Sequence, residues 1–284
     1  YKTIPGPSLT LTESTIFAGT DAKKGVPVQI ESVRGVHEVV IYRIENGSEV
    51  EALRETKNGE HTLNYAPEID FTEATSKLKV VVSDGREGKE AIGYMKAYVN
   101  MDVATLNVGS QPLANNAHVK YPDAFGMVSL NDLKTYSVDY AIANEVNAKN
   151  VDFKFYCFGA SGSPRLYSMD NTGKDGEFSG STGKLSAIKV KNLTRFAILS
   201  NFDYENATVA SISSEILSSS IAQSLLDPIA VGNVIAFRTG GSSAAGGGRI
   251  GVMKVINITE PKELVSNNAT ARVMTVEIKF PKKK

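Results

Sequence analysis

Apolar residues in the first hundred positions recur at every second residue. In Lys77-Leu78-Lys79-Val80-Val81-Val82, the side chains of Leu78, Val80 and Val82 share one side and both lysines take the other. That is the period of a strand with one wet face. Val40, Tyr42 and Ile44 alternate in the same way, as do Met95, Ala97, Val99 and Met101, and Val26, Val28 and Ile30 mark another strand. Asn46-Gly47, Asn58-Gly59 and Asp84-Gly85 fall between the runs; such dipeptides tolerate the positive φ of tight hairpins. Roughly six to eight short strands in about 100 residues predict an immunoglobulin-like β-sandwich over residues 1–102.

The pattern then becomes mixed. Ser137 is placed to cap a helix over 137–148, with Val138, Ala141, Ile142 and Val146 at helical spacing. Val151, Phe153, Phe155 and Cys157 share one face of a following strand, which makes Cys157 a small buried hydrophobe rather than a nucleophile. Ser213 or Ser214 starts a second predicted helix, 213–226, whose Ile216, Leu217, Ile221 and Leu225 face a core before Pro228 stops it. Segments 234–239, 250–258 and 272–280 read as closing strands. The chain is therefore expected to be mainly β, with residues 103–284 forming a strand-dominated α+β domain with two short helices.

Composition narrows the function classes. A chain of 284 residues is long enough for two cores, and 42% hydrophobic with 22% charged residues describes a globular chain rather than a disordered one. Net charge is zero, with 12 basic against 16 acidic residues up to residue 102 and 19 against 15 beyond it. Such a balance provides no field for a nucleic-acid partner. The lone Cys157 excludes an intramolecular disulfide. No run of about 18 apolar residues occurs. The chain opens on Tyr1 with no apolar leader, as expected of a mature chain from which any export signal has been removed.

Candidate chemistry is sparse. Gly246-Gly247-Gly248-Arg249-Ile250-Gly251 has the letters of a dinucleotide fingerprint, but Val252-Met253-Lys254-Val255-Ile256 continues as a strand, not the helix whose N-terminus holds the pyrophosphate. The segment 240–248 is accordingly read as a flexible hairpin loop. No Lys-Ser or Lys-Thr follows the glycines, so a P-loop fails as well. Residues 170–177 gather oxygen ligands as a calcium loop does, but in another order, and Lys174 would repel the ion; a solvated polar turn is expected. His37, His61 and His118 lie far apart, and His37 is assigned a structural place beside a strand core. Asn46, Asn192, Asn206, Asn257 and Asn268 head Asn-x-Ser/Thr triplets, taken here as chance. No catalytic residue, cofactor or metal site is expected.

For ligand binding, tryptophan is absent, and 11 tyrosines and 11 phenylalanines remain as stacking platforms. Tyr121, Tyr156, Tyr167 and Tyr204 lie nearest polar or turn residues. The best local constellation is Tyr167 with Arg165, Asp170 and Asn171, and Tyr204 completes the candidate ligand-binding set.

The second part of the chain also resembles a known group. The helix around 137–146, Val151-Asp152-Phe153, Leu166-Tyr167-Ser168, Asn192-Leu193-Thr194-Arg195-Phe196, Asn201-Phe202-Asp203-Tyr204, and the run from Gly232 to Thr239 paired with Gly251-Val252-Met253-Lys254-Val255 follow in an order similar to that of uncharacterised Bacteroidetes cell-surface lipoproteins with an N-terminal immunoglobulin-like domain. The resemblance covers about residues 104–280. It implies export, a lipid anchor upstream of Tyr1 as the only membrane attachment, and a place at the cell surface on the outer membrane. It transfers no catalytic residue, and the loop 240–248 is longer and richer in glycine than the usual short turn.

The function expected from all this is non-catalytic binding of a glycan (a polysaccharide) or another extracellular macromolecule. The alternative is a structural or adhesive component acting through contacts with a surface protein. A hydrolase would need two converging carboxylates in a deep pocket. Three or more coplanar Tyr or Phe rings beside Asn, Asp or Arg would favour carbohydrate, and a flat apolar edge would favour protein.

Overall fold

The computed structural model describes residues 3–284. Strands hold 41% of the chain and helices 12%, so the class is mainly β. Two compact units are present. One comprises the chain up to Met101 with Glu205–Ser211 and Lys282–Lys284, and the other comprises Asp102–Tyr204 with Ile212–Pro281.

The first unit is built from β1 (Ser8–Leu11), β2 (Thr15–Ala18), β3 (Lys24–Gly25), β4 (Val28–Glu31), β5 (Glu38–Glu45), β6 (Ser48–Thr56), β7 (Thr62–Tyr65), β8 (Glu68–Ile69), β9 (Thr75–Ser83) and β10 (Ala91–Val99). One sheet has the order β1-β4-β7, the other β2-β10-β9-β5-β6, and β3 pairs with β8. Val28 and Ile30 of the first sheet meet Ile41, Leu78, Val80 and Met95 of the second in one continuous core, as in a sandwich. The hairpin between β5 and β6 turns on Asn46 and Gly47, whose φ values of 51° and 81° are the pair of positive angles that such a two-residue turn needs.

One strand assignment is corrected. In β5 the core-facing residues are Val39 and Ile41, and Tyr42 and Ile44 point outward. Val39-Val40-Ile41 is an unbroken apolar run, from which period alone cannot choose a face. The register shift between Ile41 and Tyr42 on the β6 side adds to the ambiguity.

The second unit contains β11 (Met101–Gly109), β12 (Met127–Ser129), β13 (Lys134–Tyr136), α1 (Val138–Ala143), α2 (Glu145–Lys149), β14 (Phe153–Phe158), β15 (Ser163–Ser168), β16 (Arg195–Leu199), α3 (Val209–Glu215), β17 (Leu225–Leu226), β18 (Val234–Arg238), β19 (Ile250–Ile258) and β20 (Val273–Pro281), although Met101 and the first residues of α3 group with the first unit. Two five-stranded sheets result, ordered β11-β20-β19-β18-β16 and β13-β12-β14-β15-β17. Phe153, Phe155 and Leu166 of one face Phe196, Phe237, Met253 and Val276 of the other in a shared core. The rings of Phe153 and Phe196 cross edge to face at 5.7 Å, a favoured aromatic geometry. The far face of β14 is covered too: Tyr156 and Tyr167 pack with Val138, Ala141, Ala148, Phe178 and Leu185. The helices thus form a third layer on the sandwich, and β14 is buried on both sides.

Both helix assignments need amendment. Ser137 caps α1, accepting the Tyr140 N–H at 3.1 Å, but the helix stops at Asn144. That residue starts α2 by accepting the Asn147 N–H at 2.9 Å. Val146 consequently points to solvent, 76% exposed. The second helix begins four residues before the expected Ser213, where Thr208 and Ser211 exchange side-chain-to-backbone hydrogen bonds at 2.9 and 3.0 Å. It ends at Glu215 because the following serines compete for backbone groups: Ser220 Oγ donates to the Leu217 carbonyl at 2.7 Å. Leu225 lies in β17.

Candidate functional site

Arg165 and Tyr167 stand on the outer face of β15, where most of the nearby polar atoms are engaged. Tyr167 is buried, its ring edge-on to Tyr156 at 5.5 Å. Arg165 stacks 4.2 Å over the Phe158 ring, and its Nη1 lies 3.4 Å from the Tyr167 hydroxyl. Its Nε is 2.9 Å from Asp227 Oδ1, close enough for ionic attraction but out of line for a hydrogen bond. Asp170 instead faces β16, where Arg195 donates from both terminal nitrogens to its two oxygens at 2.8 Å each. Burial opposes ionisation of Asp170, but hydrogen bonds from Arg195 and Ser168 outweigh it and hold the carboxyl below the usual range. Asn171 donates to Ser224 Oγ at 3.1 Å.

Tyr204 lies in the loop between β16 and α3 and packs against β20 of the other sheet. Its hydroxyl donates to the Glu277 carbonyl at 2.9 Å, and the buried Lys279 ammonium sits 4.2 Å from its ring centroid. The five residues therefore do not converge. Arg165 and Tyr167 share a surface with Phe158, Asp170 and Asn171 tie the loop after β15 to its neighbours, and Tyr204 anchors a distant segment.

The polar segment 170–177 is solvated on one side, at Thr172, Gly173, Gly176 and Glu177, and closed on the other. Asp175 is 1% exposed, and the ammonium of the fully buried Lys154 fills the centre of the turn. Lys154 Nζ donates to Asp175 Oδ1 at 2.6 Å and to the Asn171 carbonyl at 3.0 Å. Burial pushes this lysine below its ordinary range, and the Asp175 carboxylate offsets part of the shift. A tethered ammonium thus takes the place that a cation has in a calcium loop. Among the described residues no group of three or more His, Cys, Asp or Glu side chains is arranged to hold a metal ion.

The glycine-rich segment 240–248 is likewise fixed rather than flexible. Ser243 Oγ donates to Asp152 Oδ1 at 2.6 Å, Ser242 Oγ to Asn192 Oδ1 at 2.6 Å, and the Ala244 N–H to the Lys149 carbonyl at 2.8 Å. Glycine is needed at 240, where a Cβ would come within 2.6 Å of the Leu193 nitrogen. Asp152, at the root of this network, is fully buried. Loss of water pushes its carboxyl up to about 6, against the hydrogen bonds from Ser243 and the Leu130 N–H that favour the anion.

The remaining candidates fall to structure. Cys157 lies in the sandwich core, where burial pushes its thiol up to about 12. His37 is exposed and lies immediately before β5, its main-chain N–H donating to the Ser83 carbonyl at 2.8 Å; His61 and His118 contact the carbonyls of Ser32 and Leu264 at 2.9 and 3.1 Å. Asn192 is buried, its amide spent on the carbonyls of Lys149 and Val151, so it is out of reach of a glycosylating enzyme.

Two open surfaces bear on ligand binding. On the first unit, the outward rows of the larger sheet read Ile92–Val81–Val40, then Tyr94–Lys79–Tyr42, then Lys96–Lys77–Ile44 across β10, β9 and β5. Ile92 is 53% and Tyr94 60% exposed. Tyr94, Ile44, Lys77, Glu49 and Asn206 border a groove of about 640 Å³ at the lower row. On the second unit, a groove of about 650 Å³ runs beside β16. Among the described residues the exposed aromatic rings are Phe17, Tyr94 and Phe158, on three different strands. The alternation that buries Met95 and Ala97 was the available signal for the first surface, since it puts the apolar Ile92 and Tyr94 on a face expected to be wet. No protein-family model matches the chain, and no curated protein matches it.

Proposed function

We propose that this chain is a non-catalytic surface component that binds an extracellular macromolecule, and that the macromolecule is a protein. The carrying observation is the outward face of the larger sheet in the first unit, where Ile92 and Val81 adjoin Tyr94 and Tyr42, with Lys79 between the two tyrosines and the buried Val40 beneath the patch edge. Ion pairs cross and border it: Lys79, between the two tyrosines, with Glu49 at 2.6 Å, and Arg54 with Glu38 and Glu51 at 2.8 Å each. Exposed apolar and aromatic side chains bordered by ion pairs are the anatomy of a protein interface. The export, outer-membrane lipid anchor and surface location implied by the resemblance to Bacteroidetes lipoproteins belong to the same proposal, and protease shaving of intact cells tests them.

A glycan is the second reading, favoured by the Tyr94 ring beside the carboxylate, ammonium and amide groups of Glu49, Lys77 and Asn206 in one groove. Protein is preferred because a single ring, rather than three in one plane, lines that groove. Parallel arrays of extracellular-matrix proteins and polysaccharides, probed with the wild type, Ile92→Glu and Tyr94→Ala, separate the two. Loss of a protein signal in Ile92→Glu supports the first reading. A polysaccharide signal sensitive to Tyr94→Ala but not to Ile92→Glu would replace it with the second.

A further inference from the structure

One sheet of the second unit ends on β16, and that edge is only partly closed. Phe196 exchanges two main-chain hydrogen bonds with Gln223, at 2.8 and 3.1 Å, in an isolated antiparallel rung. In an antiparallel strand the N–H and C=O of every second residue point the same way, so the N–H and C=O of Ile198 also point outward, away from β18. Past the rung the facing segment turns away through Ser218–Ser220, leaving the groove bordered by Ala197–Phe202 on one side and Glu215, Ile216 and Ser220 on the other. Among the described residues, no hydrogen bond reaches the outward groups of Ile198.

Side chains at this edge mark it as open by construction. Ile198 shares the face of Phe196, yet Phe196 is fully buried and Ile198 is 47% exposed, as an inward residue is when no strand lies beyond it. Edge strands are ordinarily guarded by charge. The edge strand β6 carries Glu49, Glu51, Arg54 and Glu55, whereas the only charge on β16 is Arg195, paired with Asp170, and residues 196–202 carry none. The one charged side chain lining the groove is Glu215.

We infer that β16 takes up an extended segment of a partner polypeptide as a sixth strand, antiparallel and in line with the Gln223 rung. The segment offers an N–H and a C=O to Ile198, covers the exposed part of that side chain, and carries a Lys or Arg opposite Glu215. This deepens, and rests on, the reading of the chain as a protein-binding component, but it uses a different sheet from the Ile92–Tyr94 face, so the two fail separately.

The test is an NMR titration of the whole chain with the peptide acetyl-Lys-Thr-Val-Thr-Val-Thr-amide, carried to millimolar concentration. A version with Glu in place of Lys and a version with Pro at its third position serve as controls. Saturable shifts centred on the Ile198 amide are expected, weakened about tenfold for the Glu peptide and absent for the Pro peptide. Ile198→Pro removes the outward donor while leaving the hydrogen bonds to β18 untouched; it should abolish the shifts, whereas Ile92→Glu should not change them. Should Ile198→Pro melt well below the wild type, Ile198→Lys takes its place. Absence of shifts at Ile198, binding that survives both Ile198 variants, or a concentration-dependent dimer lost in them (a second copy at the edge) would each overturn the inference.

Discussion

Replacing Asp152 by asparagine should change how the stability of the protein depends on pH. Asp152 is fully buried, and its carboxyl is displaced from 3.8 to about 6 by loss of water. The folded chain therefore holds this proton more tightly than the unfolded chain does. Between pH 4 and 6 the folded state binds more protons, so stability falls as pH rises through that window and is level on either side of it. At 1.36 kcal/mol per pH unit the displacement amounts to about 3 kcal/mol. In Asp152→Asn the new side chain would keep an acceptor for the Leu130 N–H, now held at 2.8 Å, and would turn its amide toward Ser243 Oγ. The variant should match the wild type at pH 4 and exceed it by up to about 3 kcal/mol at pH 7. Urea unfolding followed by far-ultraviolet circular dichroism, since tryptophan is absent, gives both curves. Parallel curves from pH 4 to 7 would refute the reasoning, because titrating groups that do not interact with Asp152 contribute equally to both proteins, and the repulsion from Asp132 is the smallest of the causes acting on Asp152.

Lys154→Ala strands the buried Asp175 carboxylate, whose second oxygen has no hydrogen-bond partner among the described residues; denaturant unfolding should show a loss of about 3–5 kcal/mol, largely recovered in Lys154→Met/Asp175→Leu. Gly251→Ala would put a Cβ 2.3 Å from Phe237 and 2.9 Å from Phe280, and calorimetry should report a destabilisation of about 1–3 kcal/mol. Cys157, with its thiol pushed up to about 12 in the core, should resist a disulfide reagent at neutral pH until urea unfolds the chain; full modification of the native protein within minutes would contradict that burial.

What was legible in the letters follows from where the information lies. Leu78, Val80 and Val82 alternate with lysines, so one face was forced, and all three are fully buried. Val39-Val40-Ile41 has no such contrast, and the face chosen was the wrong one. Ser137 announces a cap locally, but the break at Asn144 rests on a second cap inside an apolar-periodic stretch. The candidate site fared differently because it depends on pairing across the chain. Nothing near Asp170 in sequence says that Arg195 will hold it, and nothing near Asp175 says that Lys154 will lie beneath the turn. Lys154 reads as the wet position of an alternating strand, and only the turn at 170–177, folded over it, makes it a buried cation. The openness of the β16 edge is also invisible locally, since strand order across a sheet is set by topology.

The energetics of that edge constrain what kind of segment it takes up. The N–H and C=O of Ile198 yield two hydrogen bonds worth about 1–3 kcal/mol net together, and covering the exposed half of Ile198 adds about 1 kcal/mol. Ordering a flexible chain costs about 1–2 kcal/mol for each residue fixed. For a linear peptide of five or six residues the cost is at least comparable to the gain, so its affinity should be weak, of millimolar order. A segment already extended avoids most of that cost. A β-hairpin closed by an Asn-Gly turn and presenting the Lys-Thr-Val-Thr-Val-Thr strand should therefore bind β16 more tightly than the linear peptide, by about tenfold or more. Equal affinity for the two would mean that strand pairing is not what holds the ligand there. A strand presented by another folded β-sheet then fits the β16 edge better than a flexible tail does.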